Sequence, residues 1–368
     1  MLTALAAFAA SLALSTDAAP PAGARAAAPD EQPIVIRAGL ALATPAPRSA
    51  ARSMIRVDPI ESQLVNGTFA APKAGAVPVP SADPAKPGNA WTEVTANERG
   101  VFEGGDDSAF AGGWVYATVP SLSRPAAGVM ILEASGHGSV FVNGEPRGGD
   151  PYSWGFVTIP VALKQGTNEF LFSVGRGRLS ARLVTPPGPA CILGADAVVP
   201  SLVAGRDNDG PVGVVVVNAS TEPLRGARIA LSCNLADDAG WVELHSMPPL
   251  TVKKVALPAL FKASSVRTPG KDIVATALLL DRAGHALGSA DLRLPVVSST
   301  DRRTVTRLST IDGSAQSYTV VPSTADRAKG DPMPGILFSV HGAGVDANGQ
   351  AGCYTPKKEA HVVCPTNR

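Results

Sequence analysis

The chain has 368 residues, of which 45% are hydrophobic and only 17% are charged, and its formal net charge is +1. Soluble domains average about 25% charged residues, so this composition excludes long charged helices and coiled coils as the main architecture. A net charge near zero provides no overall field that would attract nucleic acid or an anionic membrane. The length predicts two or three domains, and 37 Gly with 33 Pro favour short strands joined by turns.

The amino terminus has features of an export signal. Residues 2–14 form an apolar run of the length of a signal-peptide core, and A-x-A cleavage patterns follow at 24–28. No Lys or Arg precedes the run, so an uncleaved envelope anchor, an Ala-rich tail and a misplaced start codon stay open as alternatives. We predict a signal peptide over 1–28, a secreted or periplasmic (cell-envelope) location, and no membrane span in the mature chain.

Residues 29–89 have the composition of a linker. They are rich in Ala and Pro, as in the stretches ATPAPRSAARS (43–53) and APKAGAVPVPSADPAKPGN (71–89). Such segments bury too little apolar surface to form a core and are typical of connecting chain. Only residues 33–42, PIVIRAGLAL, read as a strand within this predicted linker.

The cysteines do not predict a metal site. Cys191, Cys233, Cys353 and Cys364 form no C-x-x-C pair. Cys353 and Cys364 are near enough in sequence to form a disulfide in an oxidising compartment, and buried free thiols are the alternative. The run 207–210, DNDG, resembles the start of a calcium loop, but the glutamate expected six residues later is absent, so a turn is predicted. We expect no metal and no cofactor.

A dense β pattern extends over residues 90–185. Its six runs are rich in Val, Ile and Phe and are separated by turn residues. They are GWVYATV (113–119), GVMILEA (128–134), GSVFVNG (138–144), FVTIPVAL (156–163), NEFLFSV (168–174) and LSARLV (179–184). Asn143-Gly144 predicts a type I′ hairpin turn, since both central residues of that turn need φ > 0. Six strands at this spacing predict a sandwich of two sheets.

The strings FVNGE (141–145) and LKQGTNEFLFSV (163–174) give residues 90–185 a family resemblance. This segment is similar to the sugar-binding-like (galactose-binding-like) jelly-roll domain of family 2 glycoside hydrolases. The matching residues build the sandwich, so the resemblance implies a fold more than a ligand. Tyr152 and Trp154, in a Gly/Pro-rich loop, are the candidate carbohydrate contacts. Trp114 and Tyr116 are further aromatic candidates, and packing in the core or at an edge is the alternative for all four.

A second β series occupies residues 192–298, after the break TPPGPAC (185–191). We predict an immunoglobulin- or fibronectin-like sandwich from the number of strands alone, because the Cys–Trp–Cys spacing of immunoglobulin domains is absent. The predicted strands share Val/Ile/Leu alternation: GVVVVNA (213–219), GARIALSC (226–233), WVELHS (241–246), LTVKKVALP (250–258), KDIVATALLLD (271–281) and ALGSADLRLPVV (286–297).

The last segment, 303–368, changes pattern. Residues 306–323 read as a hairpin, and the apolar run ILFSV (336–340) reads as a strand buried on both faces. The turn HGAG (341–344) follows, and its small residues leave backbone N–H groups accessible. Such a turn can bind an oxyanion, as HGGG-type turns do. We therefore predict an oxyanion hole made by the backbone of Gly342, Ala343 and Gly344.

DGSAQSYTVVPS (312–323) followed by PGILFSVHGAG (334–344) and HVVCPTNR (361–368) resembles the start of an α/β-hydrolase domain. The likeness is to secreted prolyl-oligopeptidase-like and esterase-like proteins. It implies an incomplete α/β-hydrolase domain, truncated before the catalytic serine, in a mainly β chain. No G-x-S-x-G elbow occurs in the 368 residues, so no catalytic residue is assigned. His341 would belong to the oxyanion turn, and His361 is expected to have a packing role.

Two functions compete at this stage. The first is the accessory front of an exported serine hydrolase that cleaves ester or peptide bonds and is inactive as given, because the triad is missing. The second is a non-enzymatic exported β-sandwich protein that binds carbohydrate or a partner. Both imply a carbohydrate or polymer as substrate or ligand, and neither implies nucleic acid. The oligomeric state is left open.

Overall fold

The computed structural model describes residues 32–43, 58–80, 85, 87–103, 112–120, 128–233, 238–342 and 344–366. The predicted signal peptide, residues 1–28, lies outside these residues. Within them the chain is mainly β, with 26 strands, two short α-helices and one 3₁₀ helix. None of the helices in this part of the chain has the length and apolar character needed to cross a bilayer.

The first unit is a sandwich of two antiparallel sheets. One sheet has the order β1-β11-β6-β9, with β4 also paired to β11, and the other has the order β3-β2-β5-β10-β7-β8. Its elements are β1 (Ile34–Val35), β2 (Ala38–Leu42), α1 (Pro59–Val65), β3 (Thr92–Thr95), β4 (Val101–Glu103), β5 (Gly113–Val119), β6 (Val129–Ser135), β7 (His137–Val142), β8 (Glu145–Gly148), β9 (Thr158–Ala162), β10 (Asn168–Val174) and β11 (Arg178–Val184).

The core of this sandwich follows from period-2 alternation. In β10 the side chains of Phe170, Phe172 and Val174 all point inward and are fully buried between the sheets. The Asn143-Gly144 turn joins β7 to β8 with positive φ at both residues, which confirms the predicted hairpin. The two-sheet sandwich predicted for this part of the chain is therefore confirmed.

The predicted linker over 29–89 is corrected by the structure. Strand β2 pairs with both β3 and β5, so it lies inside the second sheet. Helix α1 is capped by Asp58, whose second carboxylate oxygen accepts a hydrogen bond from Trp114 Nε1 at 3.2 Å. Ile60 is fully buried against Trp91 and Trp114. The sequence indicated a strand over 33–42 but not its place in a sheet, and average composition obscured α1, because a few apolar residues at the spacing of a helix turn suffice to dock it.

The second unit is an antiparallel sandwich of seven main strands. Its sheets have the orders β12-β14-β18 and β17-β15-β20-β21, and their facing sides form one continuous apolar core. The first, second and fifth of the seven strands form one sheet, and the third, fourth, sixth and seventh form the other. The elements are β12 (Ala190–Val198), β13 (Leu202–Val203), β14 (Val212–Asn218), β15 (Leu224–Ser232), β16 (Asp238–Ala239), β17 (Trp241–Met247), β18 (Thr251–Leu257), β19 (Ala259–Leu260), β20 (Ile273–Leu280), β21 (Ala286–Leu294) and β22 (Val296–Val297).

The third unit is a four-stranded mixed sheet in the order β23-β24-β26-β25. Strands β23 and β24 form the predicted hairpin, β24 is antiparallel to β26, and β25 is parallel to β26. The helix α2 lies in the crossover between the two parallel strands. The elements are β23 (Arg303–Leu308), β24 (Ala315–Val321), a 3₁₀ helix (Arg327–Lys329), β25 (Gly335–Phe338), α2 (Ala347–Gly352) and β26 (Ala360–Pro365).

The expectation that ILFSV is buried on both faces is wrong in this structure. Strand β25 lies at the sheet edge, where Phe338 is 71% exposed and Ile336 and Val340 are also largely exposed. Helix α2 covers the neighbouring strands, with Ala347 and Ala351 packed among Val321, Val362 and Cys364. The apolar run is therefore an unpaired edge, a feature that promotes strand-to-strand association.

We predict that this edge makes the 368-residue chain self-associate. Phe338→Lys places a charge on the exposed strand and should shift the sedimentation-velocity distribution towards monomer at high protein concentration. Val274→Lys is the matched control, because Val274 is also exposed but lies on β20 inside a sheet. A wild-type chain that stays monomeric at every concentration would contradict this prediction.

Candidate functional site

The HGAG turn follows the carboxyl end of β25 and precedes α2. Gly344 has φ +81°, a conformation that strongly favours glycine. The amides of Gly342 and Gly344 donate to no other described residue, while the imidazole Nδ1 of His341 lies 3.0 Å from the carbonyl oxygen of Gly342. Ala343, the third predicted oxyanion residue, lies outside the described residues. The two described glycines therefore have amides available to a ligand.

A side-chain network holds the start of this turn. Ser339, the first residue after β25, is buried, and its N–H donates to the carbonyl of Val363 at 2.9 Å. Its Oγ lies 2.8 Å from the hydroxyl of Tyr354 and accepts a hydrogen bond from Gln350 Nε2, also at 2.8 Å. The network ties the end of β25 to α2 and to the segment after it. Sequence reasoning did not single out these residues, because their spacing matches no motif.

The loop with the two predicted carbohydrate contacts is held by Asp150. This carboxylate is buried and accepts hydrogen bonds from the backbone N–H of Trp154 at 3.0 Å and of Gly155 at 2.8 Å. Tyr152 is 42% exposed and Trp154 is 36% exposed. The guanidinium of Arg176 lies 5.0 Å from the Tyr152 ring centroid, which is cation–π distance. The aromatic loop is thus both exposed and anchored.

One cleft joins the HGAG turn to the aromatic loop. It has a volume of about 310 Å³, within the range of small-molecule sites. An ideal Cβ built on Gly344 would stand 3.5 Å from Cδ1 of Tyr152, so the ring lies close to the last residue of the turn. All three units contribute to the walls, which include Tyr152, Trp154, Phe156, Asp196, Lys254, Gly344 and Asp346.

Asp150 of the first unit lines the cleft, and its other charged side chains come from the second and third units. Lys254 Nζ lies 3.2 Å from the Asp196 carboxylate, and both side chains are about one-fifth exposed. Asp346 caps α2 by accepting a hydrogen bond from the Gly349 N–H. Thr366 also lies on the wall. The cleft therefore combines aromatic rings with charged hydrogen-bonding groups of both signs.

Under the aromatic loop lies a buried histidine. His137 is fully buried in β7, edge-on to Phe172 with ring centroids 5.6 Å apart. Neither ring nitrogen has a hydrogen bond of good geometry within the described part of the chain. Burial lowers the pKa of His137 from 6.5 to about 4, against the opposing effects of the Asp150 charge and of the Gly148 backbone. The ring is therefore neutral at physiological pH.

The remaining candidate residues from the sequence have packing or hydrogen-bonding roles in the fold. Trp114 and Tyr116 are buried in the layer under α1, so they are corrected from candidate contacts to core residues. Nδ1 of His361 accepts a hydrogen bond from the Ser323 N–H at 2.9 Å, as expected for a packing role. Asn208, within the DNDG run, holds the local chain through hydrogen bonds with the backbone of Val203.

The cysteines and the acidic groups form no metal or disulfide site in the part of the chain that is described. All four cysteines are free, so the alternative of a Cys353–Cys364 disulfide is not realised. Cys191 is buried at the contact between the two sandwiches, and burial raises the pKa of its thiol to about 11. No group of three or more metal-ligating side chains occurs among the described residues.

Comparisons with known proteins give structural likeness only. No protein-family model and no curated protein matches the chain. Similar solved structures include a β-glucuronidase from glycoside hydrolase family 2 (10% identity, TM-score 0.34, covering 75% of this chain and 31% of that one). The exo-chitosanase of Amycolatopsis orientalis is 12% identical with a TM-score of 0.34, and the match covers 78% of this chain and 36% of that one. A family 2 β-galacturonidase of Eisenbergiella tayi is 11% identical with a TM-score of 0.34, and the match covers 76% of this chain and 45% of that one. The chain spans less than half the length of each of these structures.

The buried histidine predicts a pH effect on stability. Because the folded pKa of about 4 is below the unfolded value of 6.5, the unfolded chain binds the extra proton first as pH falls. The free energy of unfolding should therefore drop by about 2 kcal/mol between pH 7 and pH 5. Urea unfolding should show that His137→Leu removes this drop, whereas His245→Gln, at an exposed position, keeps it. An equal pH dependence in wild type and His137→Leu would contradict the assignment.

Removing the Ser339 hydroxyl should lower the stability of the segment around it. Ser339→Ala leaves Tyr354 and Gln350 without their shared partner, at a cost of about 1–3 kcal/mol. Hydrogen exchange should rise in peptides covering residues 339–354 and stay unchanged in the first sandwich. Tyr354→Phe removes one of the two hydrogen bonds and should have a smaller effect. Unchanged exchange in both variants would show that the network does not hold the turn.

Proposed function

We propose that this chain is the substrate-recognising front of an exported serine α/β-hydrolase, with the HGAG turn as its oxyanion site. One observation supports it above the others. HGAG lies in the loop between the third strand of a mixed sheet and the following helix, which is where HGGG-type oxyanion turns lie in α/β-hydrolases. The turn leaves at least two amides, those of Gly342 and Gly344, accessible at the end of the strand.

The sheet supports the same proposal. A hairpin leads into two parallel strands joined by a helical crossover, which is the unit from which α/β sheets are built. Strand β25 is apolar along its length, as strands of such sheets are when helices cover both faces. Its exposed edge and side chains are those that a further parallel strand and its helix would cover.

The chemistry assigned to this chain is limited to charge stabilisation and binding. Attack on an ester or peptide carbonyl places negative charge on its oxygen, and amides already aimed at that position stabilise the charge without reorganising. The nucleophile, acid and base of the reaction are not among the residues assigned here, because the 368 residues contain no G-x-S-x-G elbow. Export is part of the proposal and is supported by the apolar run near the amino terminus.

A second candidate, an exported carbohydrate-binding β protein, is favoured by one observation. Tyr152 and Trp154 are exposed on a loop that hydrogen bonds to a buried carboxylate hold in place. Exposed, immobilised aromatic rings are typical of ligand contacts. In this case the third unit would contribute a wall of the cleft and no chemistry.

Labelling with a fluorophosphonate separates the two candidates. The native gene product would be isolated from its source, labelled and digested. Under the hydrolase proposal, a labelled polypeptide contains peptides from residues 303–342, and the labelled serine lies on a peptide absent from the printed sequence. Heat-denatured extract is the control for non-specific labelling. Detection of those peptides only in unlabelled protein would favour the carbohydrate-binding candidate.

The 368-residue chain alone should be inactive. With accessible amides but no activated nucleophile, we expect hydrolysis of p-nitrophenyl acetate at the rate of the buffer blank. The measurement is the initial rate at micromolar protein, with and without prior fluorophosphonate treatment. Turnover that the inhibitor abolishes would contradict this prediction, since it would require a reactive serine within these residues.

A further inference from the structure

We propose that the cleft binds an acylated carbohydrate, with the sugar against the aromatic loop and the ester carbonyl at the HGAG turn. The inference rests on the proposed function and deepens it, because it names the substrate class of the same site. Residues 152 and 154 and residues 342–344 were separate candidates in the sequence. The structure places Tyr152, Trp154 and Gly344, the last residue of the turn, on one cleft of about 310 Å³.

The distances suit a ligand with two chemically different ends. A Cβ added to Gly344 would stand 3.5 Å from the Tyr152 ring, so a sugar bound at the aromatic loop has its substituents close to Gly344. An O-acyl group is such a substituent, and its carbonyl oxygen can accept hydrogen bonds from backbone amides. A single small molecule can therefore contact the aromatic rings and the turn together.

The aromatic wall is held before any ligand arrives. Asp150 fixes the backbone at Trp154 and Gly155, and Arg176 lies over the Tyr152 ring. Trp154 is itself in ring contact with Phe156, with centroids 6.2 Å apart. A wall that is already ordered loses little conformational entropy on binding, which favours affinity for a small ligand.

The polar groups favour a hydroxyl-rich ligand over a lipid ester. A hydrocarbon chain in the cleft would remove water from the Asp196–Lys254 pair without offering hydrogen bonds in return, which is costly. Sugar hydroxyls donate to carboxylates and accept from ammonium groups, so they replace that water. The cleft that contains the aromatic loop is also lined by polar side chains, those of Asp196, Lys254, Asp346 and Thr366.

The reaction implied is ordinary ester hydrolysis. The bond between the acyl carbon and the sugar oxygen breaks, that oxygen takes a proton, and water supplies the hydroxyl of the released acid. In a serine hydrolase the acyl group passes through the serine oxygen on the way. The products are a carboxylic acid and a sugar with a free hydroxyl, and no oxidant or reductant is needed.

The test measures binding of acylated sugars to the 368-residue chain. No nucleophile is assigned within these residues, so the ester should stay intact during the measurement. The probes are an array of acetylated plant and bacterial oligosaccharides, the same array after alkaline deacetylation, and a library of short peptides. We expect binding to acetylated oligosaccharides, weaker binding after deacetylation, and no binding to peptides. Tryptophan fluorescence and calorimetry measure the affinity of the best probe.

Separate variants test the aromatic end and the turn end of the cleft. Trp154→Ala and Tyr152→Ala should each weaken binding by about tenfold, as loss of a buried aromatic contact does. Gly344→Ala strains the backbone at φ +81° and places a Cβ 3.5 Å from the Tyr152 ring, so it should weaken binding of the acetylated probe most and of the deacetylated probe less. Trp241→Ala is the matched control, because Trp241 is 43% exposed and contacts Arg228 in the second sandwich, away from the cleft. Thermal unfolding verifies that each variant folds.

Each outcome has one meaning. No binding across the sugar array, preference for a peptide, or unchanged affinity in both aromatic variants overturns the inference. Equal affinity for the acetylated and deacetylated oligosaccharides also overturns the inference, because the cleft would then be a carbohydrate site without specificity for the acyl group. These results are independent of fluorophosphonate labelling of the native product, so failure of the hydrolase proposal and failure of the substrate class can be distinguished.

Discussion

The contact of the second sandwich with both of its neighbours is the constraint on which the cleft depends. Strand β18 contacts both β9 of the first sandwich and β24 of the mixed sheet. Ile131 of the first sandwich packs with Cys191 and Val217 of the second in a small apolar cluster. Apolar contact of this kind excludes water and resists sliding, so the aromatic loop and the HGAG turn are held facing each other.

The aromatic loop and the turn are held by the same physical means. Each begins beside a buried polar side chain, Asp150 in one case and Ser339 in the other, that accepts hydrogen bonds from its surroundings. A buried acceptor that lost these donors would carry a large desolvation penalty. These hydrogen bonds fix the backbone at Trp154 and tie Ser339 to Gln350, although both segments lie at the surface. These hydrogen bonds are made within the protein itself and need no ligand.

His137 shows the cost of building the loop on a crowded core. The ring lies under the loop and Asp150, where burial keeps it neutral. A neutral imidazole without well-formed hydrogen bonds is less favourable than an apolar side chain of the same size. Among the described residues, the ring packs edge-on against Phe172, and the Asp150 charge and the Gly148 backbone offset only part of the effect of burial.

The sequence by itself determined the elements whose signals are local: the alternating strands of both sandwiches, the Asn143-Gly144 turn, and the HGAG turn after an apolar strand. It read β2 as a strand but left it in a linker, missed α1, and predicted β25 as buried, because those properties depend on which distant strands are present as partners. Only the tertiary structure decided that Trp114 is core while Trp154 is exposed. It alone also brought Tyr152 to Gly344, since packing between units far apart in sequence leaves no trace in local pattern.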